Sequence, residues 1–274
     1  MDKIKANLFV LKGAGANTAV FVTADGVTVV DTKLAGLGRS ILATIKELNG
    51  KPVVRIINTH THLDHVGGNV EFPLTVDIVA HENTAVNMKN MPPAAGLGRP
   101  GAPPPNIFEQ NKGRGLPKRT FKDKLTVGKG PDQIDLYYFG RGHTNGDAWI
   151  VFPALRVVHA GDMFRDKELP LIDAKYGGSA TEMPESLSRA HAVLNSLADT
   201  VVTGHARQLM TMNDLREYAD FSREFVTDVL AQKKAGRSAP EVVKSWTAPA
   251  KYATYQVARD MLFSNVMLIY QETN

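Results

Sequence analysis

The sequence contains no cysteine. Disulfides and thiolate metal ligands are therefore both excluded, and any metal bound here is held by nitrogen and oxygen. The chain also lacks a block of one charge. Its formal charge is only +4, and no Lys/Arg run is long enough to form a nucleic-acid arm, so no nucleic-acid partner is expected. Only a mild preference for anionic substrates follows. Long apolar runs are missing too. The N-terminal stretch "MDKIKANLFVLKGAGANTAVF" is broken by Lys12 and Gly13, so it reads neither as a signal peptide nor as a membrane span. The expectation is a soluble protein with no membrane partner, cytoplasmic as written, and periplasmic or secreted if a signal was removed before Met1.

What is present suffices for a real core. With 43% hydrophobic residues in 274, the chain can build one large domain or two small ones. Its first third reads as short β-branched runs, "NLFVLK", "NTAVFVT" and "GVTVVDT", punctuated by glycine turns. Leu37, Ile41, Leu42, Ile45 and Leu48 recur at helical spacing, and "NGKP" stops that helix before the strand "VVRIIN". A strand "TVDIVA" and a helix from Glu82 to about Met91 come next. Repeated proline and glycine from Pro92 to Lys118 predict a surface loop without regular structure, either a lid or a spacer, with an ordinary disordered insertion as the competing reading. Strands resume at "QIDLYYFG", "DAWIVFP" and "LRVVHAGD", followed by a helix near Glu182 to Leu197 and the strand "DTVVTG". From Asp214 onward the pattern is mostly helical. Strand sets followed by helices in both halves point to two sheets covered by helices.

The chemistry is concentrated in "NTHTHLDHVGGN", where three of the eight histidines fall between His60 and His65. In an extended segment, residues two apart point the same way, so His60, His62 and Asp64 share a face and His65 is aimed elsewhere. One segment can thus serve two neighbouring metals. Gly67 and Gly68 remove bulk where the backbone turns beside such a site. Further candidates stand at strand ends: His143 in "FGRGHTNGD", Asp162 in "VVHAGD" and His205 in "VVTGH". Thr59, Thr61, Thr144 and Asp147 are placed to orient ligands, with ordinary turn hydrogen bonds as the competing reading. His81 is expected to open a helix, His191 to lie on a helix, and His159 to be packed on a strand near the site.

The set "THTHLDH", "GHTNGD", "AGD" and "TGH", in that order, resembles the metallo-β-lactamase superfamily. The resemblance implies an α/β fold, a four-layer αββα sandwich of two mixed β-sheets covered by helices. The motifs span roughly Asn7 to His205, so a catalytic domain is expected over residues 1–213, and residues 214–274, helical by their periodicity, are expected to form a C-terminal extension packed on the same domain. By the same resemblance His60, His62 and His143 hold one metal, Asp64, His65 and His205 hold the second, and Asp162 bridges them. Two Zn2+ ions are the implied cofactors, and the His/Asp set also accommodates iron or manganese. Two dications sharing a water bring its pKa near neutral and yield a hydroxide that can attack a carbonyl or phosphoryl centre. Asp64 is the expected carrier or orienter of its proton, with a ligand that has no proton role as the competing reading.

The substrate is less constrained. The best-known zinc β-lactamases have a cysteine ligand where this chain has Asp162, and the all-nitrogen-and-oxygen pattern is similar to that of glyoxalase II, lactonases and phosphodiesterases. Arg165, three residues after Asp162, falls where the cysteine-type enzymes carry a carboxylate-gripping lysine, and Lys167 adds a cation nearby. Solvated surface charge is the competing reading for both. The expected partner is a small carbonyl substrate, possibly carboxylate-bearing, with a β-lactam as first candidate. A lactonase, thioesterase or phosphodiesterase is the enzyme alternative, and a metal-binding protein with a vestigial site is the alternative of another class.

Overall fold

Residues 1–91 and 106–273 are described by the computed structural model of the chain, which divides into two units, Met1–Tyr138 and Phe139–Asn274. In the first unit the β-branched runs become strands. β1 (Asp2–Lys3), β2 (Leu8–Leu11), β3 (Thr18–Val22) and β4 (Val27–Val30) form an antiparallel meander. The chain then crosses through α1 (Gly38–Asn49) to β5 (Val53–Ile57), which pairs parallel to β4. α2 (Leu63–Val66) follows, and then β6 (Asp77–His81), parallel to β5. After α3 (Glu82–Lys89) and α4 (Ile107–Gln110), β7 (Arg119–Phe121) adds a further parallel strand. β8 (Lys124–Val127) and β9 (Ile134–Tyr137) form an antiparallel hairpin.

All four residues of β4 are buried, as a strand covered on both faces requires. The α1 periodicity explains one cover: Ile41 and Ile45 share a hydrophobic cluster with Val20, Val27, Val29 and Ile56. Each such isoleucine contributes about 1.5–3 kcal/mol by burial. Gly50 ends the helix in the left-handed region at φ 70°, its N–H bonded to Lys46 O, a conformation that costs glycine no Cβ clash.

The predicted irregular stretch 92–118 is corrected where it is described. Asn106 caps α4 by accepting from Phe108 N, and its Nδ2 donates to Met88 O and Lys89 O at 2.9 and 3.0 Å. Phe108 is buried, so this part of the stretch is packed rather than free. Residues 92–105, on which the lid or spacer reading also falls, lie outside the described residues.

In the second unit, β10 (Trp149–Phe152) pairs antiparallel with β11 (Val157–His159). The crossover through α5 (Met183–Leu194) returns to β12 (Thr200–Val202), parallel to β11, and β13 (Met210–Thr211) closes the edge antiparallel. Three helices complete it: α6 (Met212–Lys234), α7 (Ala239–Ser245) and α8 (Arg259–Glu272). A capping box starts α6, Thr211 Oγ1 accepting from Asp214 N while Asp214 Oδ2 accepts from Thr211 N. Most aromatics of these helices and their connections pack inward, as core residues do, while Phe263 is exposed. Tyr218 stacks on Phe164 at 4.7 Å, Phe221 meets Tyr255 at 4.5 Å, and Phe225 meets Trp246 at 5.0 Å. Each unit thus carries a mixed sheet with helices against it. Among the described residues, no helix is long and apolar enough to cross a membrane.

Candidate metal centre

In the first unit the parallel strands end where the ligands begin. β5 delivers Asn58 to His62, and the neighbouring end of β4 delivers Asp31. Asp31 is fully buried and sits at φ 60°, a left-handed conformation that costs a non-glycine residue about 1–3 kcal/mol. Its carboxylate is what holds the segment. Oδ1 accepts from Thr59 N at 2.8 Å, and Oδ2 accepts from Thr59 Oγ1 at 2.7 Å and from His65 Nδ1 at 2.6 Å.

These bonds fix two imidazole tautomers. His65 donates through Nδ1, which leaves Nε2 as the atom it could offer a metal. The single Thr59 hydroxyl proton is given to Asp31, so Thr59 Oγ1 accepts from His60 Nδ1 at 3.0 Å. His60 then also offers Nε2. The rings are close together: His60 and His62 centroids lie 4.9 Å apart, and His60 and His65 centroids 4.0 Å. Ligating atoms of His60 and His62 come within 4.8 Å of each other, as do those of Asp64 and His65.

The extended geometry predicted through Asp64 is corrected. The carbonyl of His62 accepts from His65 N at 2.9 Å and Val66 N at 3.0 Å, so the chain turns helical at Leu63. Asp64 and His65 are therefore neighbours on one turn, with Asp64 Oδ2 3.8 Å from His65 Nε2. The glycine pair also has a different cause from the predicted turn. A Cβ at Gly67 would meet Ala35 N at 2.6 Å, and one at Gly68 would collide with Thr32 O. Close passage of residues 32–35 demands them. Asn69, buried beside that passage, accepts from Thr32 Oγ1 at 2.7 Å and donates to Asn58 Oδ1 at 2.8 Å.

The second unit places Asp162 between two histidines. Asp162 Oδ2 lies 3.8 Å from His143 Nε2 and 3.3 Å from His205 Nε2. Main-chain atoms position this set. His143 Nδ1 donates to Leu171 O at 2.6 Å, which again leaves Nε2 as the atom it could offer a metal. A Cβ at Gly204 would collide with Asp162 Oδ1, so only glycine lets the strand end before His205 pass the carboxylate. Thr144 and Asp147 serve the turn: Thr144 N and Oγ1 each donate to an Asp147 carboxylate oxygen at 2.7 Å.

The two cations read as substrate contacts are engaged by this chain's own carboxylates. Arg165 Nη1 pairs with Glu168, and its Nε lies 3.7 Å from Asp162 Oδ2. Lys167 Nζ lies 2.6 Å from Asp214 and 3.5 Å from Glu217. Hydrogen bonding to Asp214, outweighing the cost of burial, raises the Lys167 ammonium above its usual range.

The other histidines have structural roles. His81 caps α3, its Nδ1 accepting from Asn83 N at 3.2 Å, and burial lowers its pKa. His159 Nδ1 accepts from Gly161 N at 3.1 Å, next to Asp162. His191 lies on α5. Sequence reasoning missed Asp31, Asn58 and Asn69. Asp31 alone carried a signal, an acidic residue closing the apolar run "VTVV".

The sequence profile of the Metallo-beta-lactamase superfamily matches residues 12–205, well over half of the chain. A metallo-beta-lactamase type 2 from Elizabethkingia meningoseptica is 23% identical over 69% of this chain and 73% of its own length. Metallo-beta-lactamase IND-1 from Chryseobacterium indologenes is 22% identical over 74% of this chain and 80% of its own. Among solved structures, a metallo-beta-lactamase from Pontibacter korlensis superposes with TM-score 0.61 at 20% identity, covering 81% of this chain and 97% of its own. The stereoselective inverting sec-alkylsulfatase Pisa1 from Pseudomonas sp. superposes with TM-score 0.74 at 15% identity, covering 99% of this chain, which spans 49% of the sulfatase. These likenesses establish the fold as the αββα sandwich of two mixed sheets flanked by helices. By the extent of the profile match, which spans residues 12–205, the chain belongs to the metallo-β-lactamase superfamily.

Proposed function

We propose that the chain is a metal-dependent hydrolase in which His60, His62 and His143 hold one ion, Asp64, His65 and His205 hold a second, and Asp162 lies between them. The observation that carries this reading is the Asp162 carboxylate, one oxygen of which faces the Nε2 atoms of both His143 and His205. That is the disposition a bridging carboxylate needs. The donor set fits: all seven side chains offer nitrogen or oxygen, and His60, His65 and His143 are each held by Nδ1 with Nε2 left to ligate. Zinc is the proposed ion; iron and manganese suit the same donors. Divalent ions on such donors acidify water and polarise a substrate oxygen.

The residues themselves do the rest. Asp31 keeps His65 in one tautomer and one orientation. Asp64, with its side chain 31% exposed, is open enough to exchange a proton with substrate or water and is the proposed proton carrier. Arg165 is the proposed contact for a substrate carboxylate; to act so, it must exchange Glu168 for the substrate. Lys167, held by two carboxylates, is the weaker candidate.

The proposed substrate is a small cyclic amide or ester carrying a carboxylate, first a β-lactam, because the sequence relatives are β-lactamases. A second reading is favoured by one observation. The sec-alkylsulfatase covers 99% of the chain, helical tail included, where the β-lactamase structure covers 81%. Sulfate-ester hydrolysis therefore joins the lactone, thioester and phosphodiester alternatives. The test is metal content by elemental analysis, followed on the zinc-loaded sample by a panel of a chromogenic cephalosporin, a lactone, a thioester, a phosphodiester and a secondary alkyl sulfate. Two metals per chain with turnover on one class is the expected result. Fewer than one metal per chain after loading overturns the seven-ligand assignment, and full loading with no turnover on any class leaves a metal-binding protein.

A further inference from the structure

The connection between β2 and β3 is a left-handed turn with almost no side chains. Gly13, Ala14 and Gly15 have φ values of 75°, 53° and 98°, and nothing from Gly13 to Ala16 extends past a methyl group. Such a turn cannot hold itself by side-chain packing. A cation from another strand end holds it instead. Lys33, only 5% exposed, donates from Nζ to Gly13 O at 2.6 Å and to Ala16 O, so one ammonium group ties both ends of the turn.

Burying that ammonium is unfavourable, and burial pushes its pKa down to about 8 even though the Asp31 and Asp64 carboxylates draw it up. The backbone at Lys33 is left-handed as well, at φ 64°. An unfavourable burial and an unfavourable backbone at one residue call for a compensating role. The turn's position supplies it. A Cβ at Gly15 would stand 3.4 Å from Asp64 Cβ and 3.5 Å from Asp64 O, so the turn passes within about one side-chain atom of the proposed proton carrier.

We propose that Lys33 is a positioning residue, an internal clamp that holds the 13–16 turn against Asp64 and so fixes the orientation of that carboxylate. The proposal rests on the reading of Asp64 given above. Aliphatic replacements remove both hydrogen bonds to the turn and the ammonium charge that makes them, while leaving every proposed metal ligand in place.

Amide hydrogen exchange on the metal-loaded protein reads the clamp directly. In Lys33→Met, amides 14–18 are expected to exchange at least about tenfold faster than in wild type, and those of His65 and Val66 a few fold faster, with α1 unchanged. On whichever substrate the wild type turns over, kcat per metal-loaded chain is expected to fall about tenfold with KM nearly constant, the pattern of a lost transition-state interaction. A merely structural lysine would lower metal content or thermal stability and leave kcat per loaded chain intact. If Lys33→Met does not fold, Lys33→Gln, which keeps an amide donor without the charge, carries the same readouts. Unchanged exchange at 14–18 in a folded variant overturns the clamp. Faster exchange with unchanged kcat per loaded chain overturns its link to Asp64. Absence of turnover in the wild type itself defeats the hydrolase reading, and the exchange arm still decides the clamp.

Discussion

The two ligand sets of this chain are built in different ways. In the first unit four candidate ligands occupy six consecutive positions, and a buried side chain 34 residues from His65, Asp31, orients two of them, His60 and His65, together with Thr59. In the second unit three candidate ligands come from three separate loops, and main-chain atoms position two of them: Leu171 O holds His143, and the bare backbone of Gly204 makes room for Asp162. A side-chain support can be deleted by mutation without moving the chain. A backbone support can be disturbed only by adding bulk or changing the loop. The first set should therefore weaken gradually, and the second should fail abruptly.

The largest expected effect tests the first set's proposed chemistry. Asp64→Asn should lower kcat at least about a hundredfold, the usual scale for a catalytic proton carrier, while the protein retains most of its metal. A rate near that of the wild type, with metal content confirmed, would remove Asp64 from that role. A matched pair then tests the comparison itself. Gly204→Ala forces a methyl group onto Asp162 Oδ1 and should abolish binding of one ion per chain. Asp31→Ala should weaken metal affinity by only about 10–100-fold, as loss of an orienting partner does. Competitive chelator titration measures both; equal losses would erase the distinction between side-chain and backbone support. The smallest effect concerns Arg165, already paired with Glu168. Arg165→Ala should raise KM for carboxylate-bearing substrates by a few fold, about 1 kcal/mol of binding, and leave KM for neutral ones unchanged. Parallel shifts in both would make the arginine a surface residue.

Much of the first set was legible in sequence because it is local. Histidines crowded behind an apolar strand announce a loop built to ligate, and Ile41 and Ile45 at helical spacing announce α1. The helical turn at Leu63 was not legible, since it depends on the His62 carbonyl capturing two amides, which no side-chain pattern reports. Asn106 and Phe108 were hidden in a proline- and glycine-rich stretch whose composition outweighs two packed residues. Lys167 looked free beside Asp162; its carboxylate partners, Asp214 and Glu217, lie on α6, far along the chain.

By itself the sequence determined the kinds of atoms available to a metal, since a chain without cysteine offers only nitrogen and oxygen, and it determined the spacing that puts four of them in one loop. Only the tertiary structure decided which nitrogen His60, His65 and His143 present and which carboxylate sits between His143 and His205. The reason is physical. A tautomer is set by the acceptor that meets the other ring nitrogen, and here those acceptors, Asp31 and the Leu171 carbonyl, arrive from distant segments that only the folded sheets bring into hydrogen-bonding range.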